Sequence, residues 1–544
     1  MLRMKGKRWS FLSAHFVLLF FIFYAIAGLV LFDDYGSGPD EGIERQTSLV
    51  NYRYTIEKLN LPVSDAVETW LAYLPPLKEY RDRYYGTALH GLLVLIESAF
   101  QFRLEPHIFY GMRHFFTFLN FYLAAICFYQ LLKNRFANRL LSLTGVILLV
   151  SSPRIFAESF YNNKDILFLS WYIFSVFFLL RWLKKPTIAN ALLAGGILAF
   201  TINTRMTGIV LLPFLLFFAL IRAVVTHDWD KRKTGSLAVL LLSTFAVFYL
   251  ITPNFWDHPL QVLMETLSFS SSHPNHSAAG NLFMGRIVDA SVEWSYIPVW
   301  IAVTTPTVIM LISLVGTVVL AFRFIKAPIL FLKNQLQFDD LFIFSTGVFP
   351  VIYIILTHVT IYNGWRHCYF CYPTLVYLAI LGIHAILDIY SAETFPQSVK
   401  RFFIPMLVGL TIVANVLFII RNHPYEYAYF APLVRSKASL FSGDYWGIST
   451  RQLLEYIVKN DDRSLIRIDH SQTNSGSINR GNLDESDRNR LELLYESENA
   501  DYLLFTRDDK NFQVEMFPDF ETVFTVEVEG DPISRVLKRK ENLP

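Results

Sequence analysis

The sequence predicts an all-α polytopic membrane domain of about eleven transmembrane helices, followed by a small extracytoplasmic α/β domain at the C-terminus. Three observations predict it. The 544 residues are 53% hydrophobic with a mean hydropathy of +0.36, above the range of soluble domains. The apolar residues gather into stretches that approach or reach the roughly 20 residues needed to cross a bilayer core. The connections between these stretches alternate between basic and mixed, which is the signature of a fixed orientation.

The spans are expected near 11–32, 109–132, 139–154, 165–183, 188–203, 207–225, 234–252, 297–322, 341–359, 369–390 and 402–420. A basic start (Arg3, Lys5, Lys7, Arg8) precedes the first. Ala25-Ile26-Ala27 resembles a signal-peptidase site, but the apolar run continues beyond it, so an uncleaved anchor is expected. With the N-terminus inside, the even-numbered connections also lie inside. They hold Lys133, Arg135 and Arg139; Arg181, Lys184 and Lys185; Arg222, Lys231, Arg232 and Lys233; Arg323, Lys326 and Lys333; Lys400 and Arg401. The segment 86–99 is short and carries His90 and Glu97. It reads as an interfacial helix, and counting it as a span would invert every later loop.

These boundaries divide the chain into a membrane domain, 1–420, and a polar tail, 421–544. Within the first, 33–108 is an outer loop with interfacial helices and 253–296 is a second long outer loop. In the tail, Ser449 and Gln452 read as a capping box, and 464–469, 502–506, 522–528 and 533–537 read as strands.

A net charge of +2 gives no argument for nucleic acid. Cys368 and Cys371 form a C-x-x-C within an aromatic, apolar segment and Cys127 lies in another apolar stretch, so no metal or redox site is expected of them. His258, His273 and His276 share the second long loop without a spacing that fixes a metal. No metal site and no cofactor are assigned, and a divalent cation at the acidic loop stays open.

The polar clusters all fall on the outer face. The first is Asp33-Asp34-Tyr35-Gly36-Ser37-Gly38-Pro39-Asp40-Glu41-Gly42-Ile43-Glu44-Arg45. Its acids begin where a solvated loop would, yet the Gly and Pro residues fix a turn ahead of Asp40 and Glu41. Carboxylates held at a membrane surface suit a general base or a cation site. The second runs from Ser152 through Arg154, Glu158, Asn162, Asn163 and Lys164 to Asp165; snorkelling of Arg154 and Lys164 competes there with a functional role. The third is Asn203-Thr204-Arg205, and the fourth is Tyr362-Asn363-Gly364-Trp365-Arg366-His367. Arginines alone on the outer face run against the charge bias, and a guanidinium fork matches a phosphate.

An Asp-Glu pair just after the first span, a Lys-Asp before the fourth and an outer soluble tail resemble the GT-C superfamily of membrane glycosyltransferases. Within it, the chain is similar to the bacterial dolichyl-phosphate-mannose-protein mannosyltransferase-like and aminoarabinose-transferase-like branch. The strings that carry the resemblance are Phe160-Tyr161-Asn162-Asn163-Lys164-Asp165-Ile166, Gly364-Trp365-Arg366-His367, His423-Pro424-Tyr425-Glu426-Tyr427-Ala428-Tyr429-Phe430 and Asp444-Tyr445-Trp446-Gly447. The resemblance implies an inverting transfer from a polyprenyl-phosphate-linked sugar to the hydroxyl of a lipid, glycan or protein acceptor, at the outer face of a bacterial inner membrane.

Asp40, with Glu41 beside it, matches the base, and Asp165 the second acidic position, which orients the acceptor or an arginine. Arg205, Arg366 and Lys164 are the expected donor-phosphate ligands, and Glu158, Asn163 and His367 accessory residues. Asp33 and Asp34 compete for the base role. A transporter or lipid flippase is the alternative, and a non-catalytic membrane scaffold a third reading; a transporter would place charge within its spans and show paired repeats.

Overall fold

The computed structural model describes residues 2–272, 281–288, 293–361, 363–391, 397–507 and 514–540. Among these, nine helices are long and apolar enough to cross a membrane, and a bent pair makes a tenth. The helix Ile188–Thr204 is apolar but shorter, at 17 residues. Every predicted span therefore has a helix. The protein is a multi-pass membrane protein of mostly helical fold with a small C-terminal sheet.

Two predicted spans are broken rather than straight. The one expected at 139–154 is Arg139–Val150, followed across a 69° bend by Pro153–Tyr161. Pro153 lacks an N–H and favours the first turn of a new helix over the middle of an old one. The cluster after this span is thus helical over Pro153–Tyr161 and buried along its length. The one expected at 297–322 is Tyr296–Thr304 and Thr307–Lys326, parted at Thr305 and Pro306. A proline ring clashes with the carbonyl four residues back, and the residue before it is pushed out of the helical region.

The helices Thr307–Lys326 and Tyr372–Ser391 cross closely. A Cβ at Gly316 would overlap the backbone of Leu378, and one at Gly382 would press on Ile312. Small residues at such crossings let helix backbones approach where the lipid supplies no hydrophobic drive.

The segment after the first span folds into the helices Pro39–Leu59, Asp65–Ala72 and Ala88–Ala99. The last is apolar and only 12 residues long, too short to count among the nine spans. Its Glu97 is held between Arg45 at 2.6 Å and the fully buried Arg113 at 2.5 Å. The segment 253–296 contains the helix Pro259–Ser272 and a hairpin of Asn281–Phe283 with Arg286–Val288. His258 is exposed; His273, His276 and Tyr362 lie outside the described residues.

The tail carries a five-stranded mixed sheet, in the order Leu491–Leu494, Ile466–Gln472, Tyr502–Thr506, Asp531–Arg539, Phe520–Val528. The edge strand Leu491–Leu494 has no alternating apolar pattern and was not expected. Ser449 does not cap the helix Thr450–Asn460: it is itself helical, and its hydroxyl donates to Asp444 at 2.5 Å. Asp444 also accepts the N–H groups of Ile448 and Ser449, each at 3.0 Å, so this carboxylate satisfies the helix start instead.

The tail grips the turn that precedes Asp40. Asn479 accepts from the Ser37 N–H at 2.8 Å and donates to the Ser37 carbonyl at 3.0 Å. Arg451 donates to the carbonyls of Asp33 and Tyr35 at 2.5 and 3.2 Å. Gly36 is packed so tightly on the Ile448 carbonyl that no Cβ fits there.

Candidate active site

Four chain segments converge on one cluster. They are the start of the helix Pro39–Leu59, the turn Asn162-Asn163-Lys164-Asp165, the residue after the helix Ile188–Thr204, and the 3-10 turn Arg366–Cys371. Asp165 is at the centre. One carboxylate oxygen is paired with Arg205 and the other lies 3.0 Å from Arg366 Nη1. Asn162 braces it twice: its side-chain oxygen accepts the Asp165 N–H at 2.8 Å, and its amide donates to the Asp165 carboxylate at 3.2 Å.

The two arginines read as isolated are therefore not alone. Their side chains are 2% and 13% exposed for Arg366 and Arg205, and a buried guanidinium needs a partner to offset lost hydration. Sequence separation hides that partner. Arg366 Nη1 also reaches Asp40 Oδ2 at 2.9 Å, and its guanidinium lies 4.5 Å from the centre of the Trp446 ring.

Lys164 is paired with Glu44 and sits 3.4 Å over the centre of the Tyr85 ring. Burial raises the Glu44 carboxyl above its ordinary range, against the pull of Lys164. Glu158 accepts from Tyr369 at 2.6 Å and from Asn162 at 2.7 Å, so Asn162 links the two buried acids. The Asn163 carbonyl accepts from His90 Nε2 at 2.9 Å, which places the imidazole proton on Nε2. Burial drives the His90 pKa down to about 3 and keeps that ring neutral. The Asn163 side-chain amide nitrogen has no partner among the described residues.

Beside this cluster opens a cavity of about 740 Å³. Arg83, Lys164, Arg205 and His367 line one part of it, and Ile209, Leu212, Phe248, Pro350 and Ile354 another. A cationic end joined to an apolar channel suits an amphiphile with a phosphate head.

The structure thus gathers Asp40, Asp165, Arg205 and Arg366 into one network, with Lys164 and His367 on the cavity wall and Glu158 and Asn163 behind it. It separates Glu41 from them. The Glu41 carboxylate accepts the Gly38 N–H at 2.9 Å and pairs with His114 at 3.0 Å, holding the helix start where an Asp or Glu in the first turn is favourable. Of the rivals to Asp40, Asp34 pairs with His423 at 3.0 Å, and the Asp33 carboxylate lies near Gly111. Sequence reading missed Glu44, Tyr85 and Trp446 as neighbours of the site. Glu44 lay in the first acidic cluster and Trp446 in the Asp444-Tyr445-Trp446-Gly447 string, while Tyr85 carried no signal. Among the described residues, no three His, Cys, Asp or Glu side chains come together in a way that would hold a metal ion.

Among solved structures, the chain is similar to the Archaeoglobus fulgidus oligosaccharyltransferase in the apo form, with 10% identity and a TM-score of 0.45. That likeness covers 89% of this chain, which spans 65% of the oligosaccharyltransferase. It is similar also to ArnT from Cupriavidus metallidurans bound to undecaprenyl phosphate, with 12% identity, a TM-score of 0.45 and coverage of 97% of this chain and 98% of that one. The apo state of ArnT gives 11% identity, a TM-score of 0.45 and 98% coverage of both chains. No curated protein matches the sequence. Residues 112–256 match the model of the dolichyl-phosphate-mannose-protein mannosyltransferase family, in line with the resemblance to membrane glycosyltransferases carried by the short motifs.

Proposed function

We propose that this protein is a membrane glycosyltransferase that moves a sugar from a polyprenyl-phosphate-linked donor to an acceptor hydroxyl, with inversion. The observation that carries the reading is the meeting of the cationic end of the 740 Å³ cavity with the Asp40–Arg366–Asp165 network. The family match over residues 112–256 supports the reaction class. The apolar wall would take the prenyl chain, and Lys164 and Arg205 the phosphate.

Asp40 is the natural base. Its side chain is 26% exposed, against 1% for Asp165 and 2% for Glu44, so an acceptor can reach it. Asp40 takes the acceptor proton as the oxygen attacks the anomeric carbon. The bond from that carbon to the phosphate oxygen breaks, and polyprenyl phosphate leaves with the electron pair. Arg205 and Arg366, aimed by Asp165, would stabilise the charge that develops on the leaving group. Asp165, held by two guanidiniums, is a positioning residue. The basic inner connections support an N-terminus in the cytoplasm and a tail outside it, in a bacterial inner membrane.

The test is turnover of a purified preparation with a polyprenyl-phosphate sugar and candidate lipid, glycan and protein acceptors. Formation of a glycosidic bond with release of polyprenyl phosphate is expected. A flippase would move the lipid-linked sugar across the bilayer and leave its bond intact, and that outcome would overturn the reading.

A further inference from the structure

A second cavity, of about 560 Å³, opens at the other end of two helices that carry the site. Asp165 begins the helix Asp165–Lys184 and Arg205 follows the helix Ile188–Thr204; this cavity is lined by Lys184 and Asn190 at their opposite ends. At 1.5 Å per residue, a 20-residue helix puts the two cavities about 30 Å apart. On the orientation given by the basic connections, this one faces the cytoplasmic leaflet.

Its cations are of two kinds. Arg135 is held by both oxygens of Asp340, at 2.6 and 2.8 Å, and the Tyr377 hydroxyl donates to the same carboxylate at 2.5 Å. Lys184 is held by Asp339 at 2.5 Å. These pairs build a rigid, charge-balanced wall. Arg181 and Lys185 also line the cavity, and neither makes an ion pair among the described residues. The start of the helix Ile188–Thr204 adds the positive end of its dipole. Deeper in, Leu131, Leu180 and Ile343 make the floor apolar.

We infer that this cavity binds the phosphate of an anionic phospholipid, with Arg181 and Lys185 on the headgroup and the apolar floor against the first part of an acyl chain. Basic pockets between helices on the cytoplasmic side are the general form of such a site. Neither residue belongs to the proposed transfer machinery, so the inference stands or falls apart from it.

The test is the thermal stability of the full-length protein in a neutral detergent. It is titrated with dihexanoyl phosphatidylglycerol, dihexanoyl phosphatidylcholine and inorganic phosphate. Saturable stabilisation by phosphatidylglycerol and none by phosphatidylcholine is expected. Arg181→Gln with Lys185→Gln should weaken the apparent affinity about tenfold or more, as expected for losing charge-assisted hydrogen bonds. Arg181→Lys with Lys185→Arg should retain much of it. Arg205→Ala, in the other cavity, should leave it unchanged. Equal stabilisation by inorganic phosphate would assign the site to a free anion and overturn the lipid. So would no response of the wild type, an undiminished response of the double Gln variant, or loss of the response in Arg205→Ala. If the double Gln variant does not fold, the contrast between the two lipids on the wild type still decides.

Discussion

Arg366 Nη1 lies 2.9 Å from Asp40 Oδ2, and the same nitrogen lies 3.0 Å from Asp165 Oδ2. One guanidinium thus joins the loop after the first span to the start of the fourth. The contact fixes the direction in which the Asp40 carboxylate points.

Removing the base should expose this role. Asp40→Asn keeps the shape and should lower turnover by about 10²–10⁴-fold, with folding and membrane insertion intact. Asp34→Asn should be milder, because Asp34 pairs with His423 outside the network, and so should Asp33→Asn. If Asp40→Asn were fully active and Asp34→Asn inactive, the base would be Asp34.

The arginines should not be interchangeable with lysine. Arg205→Ala and Arg366→Ala should both weaken use of the phosphate donor, read as a raised KM or a lowered kcat/KM. Lysine should rescue only in part, since it lacks the planar guanidinium fork that matches a phosphate. Wild-type kinetics in both Ala variants would remove them from the site. Asp165→Ala should also destabilise the fold by about 3–5 kcal/mol, because it strands Arg205 and leaves Arg366 to Asp40 alone.

Trp446 faces the Arg366 guanidinium across 4.5 Å and packs on Gly38, one residue before Pro39. Trp446→Ala should lower kcat about thirtyfold through a looser Arg366, at the scale of a desolvated cation–π contact of ~2 kcal/mol. Trp446→Phe should restore most of it. A merely structural residue would change stability and leave kcat alone, so both are measured.

The clamp between tail and first loop should weaken with rising pH. His423 bonds to Glu426 at 2.6 Å and Asp34 at 3.0 Å. Burial lowers its pKa, but these acids outweigh it and the net shift is upward. Burial likewise raises Glu426, opposed by His423. Both groups bind protons more tightly folded than unfolded. Their contribution is therefore full below the unfolded values, about 6.5 for His and 4.3 for Glu, and is lost as pH rises through the folded ones. Melting temperatures across pH 5–9 should fall on the alkaline side, and His423→Gln should flatten that fall. An unchanged slope in the variant would place the titration elsewhere.

Orientation is testable with reporters. A fusion after residue 185 should read cytoplasmic and one after 440 should read outside. The same side for both would break the proposed topology.

The spans, the short helix at 86–99 and most of the tail's strands were legible because each is written in local periodicity and charge bias. A 20-residue apolar run has no stable alternative in lipid, and alternating apolar residues pack one face of a sheet. The breaks at Pro153 and Pro306 were visible as prolines but not as breaks, since whether a span tolerates proline depends on its neighbours. The residue types of the site were legible too: Arg205 and Arg366 stood out as cations where the bias expects few, and Asp40 and Asp165 as acids matched by the resemblance. Their pairing was not. Arg205 meets Asp165 across 40 positions and Arg366 meets Asp40 across 326. Only the packed bundle decides which carboxylate neutralises which guanidinium. Glu41 and Glu44 differ in sequence by three positions on one helix, yet one caps that helix against His114 and the other holds Lys164 at the cavity. That division follows from the facing surfaces each carboxylate meets, which tertiary structure alone supplies.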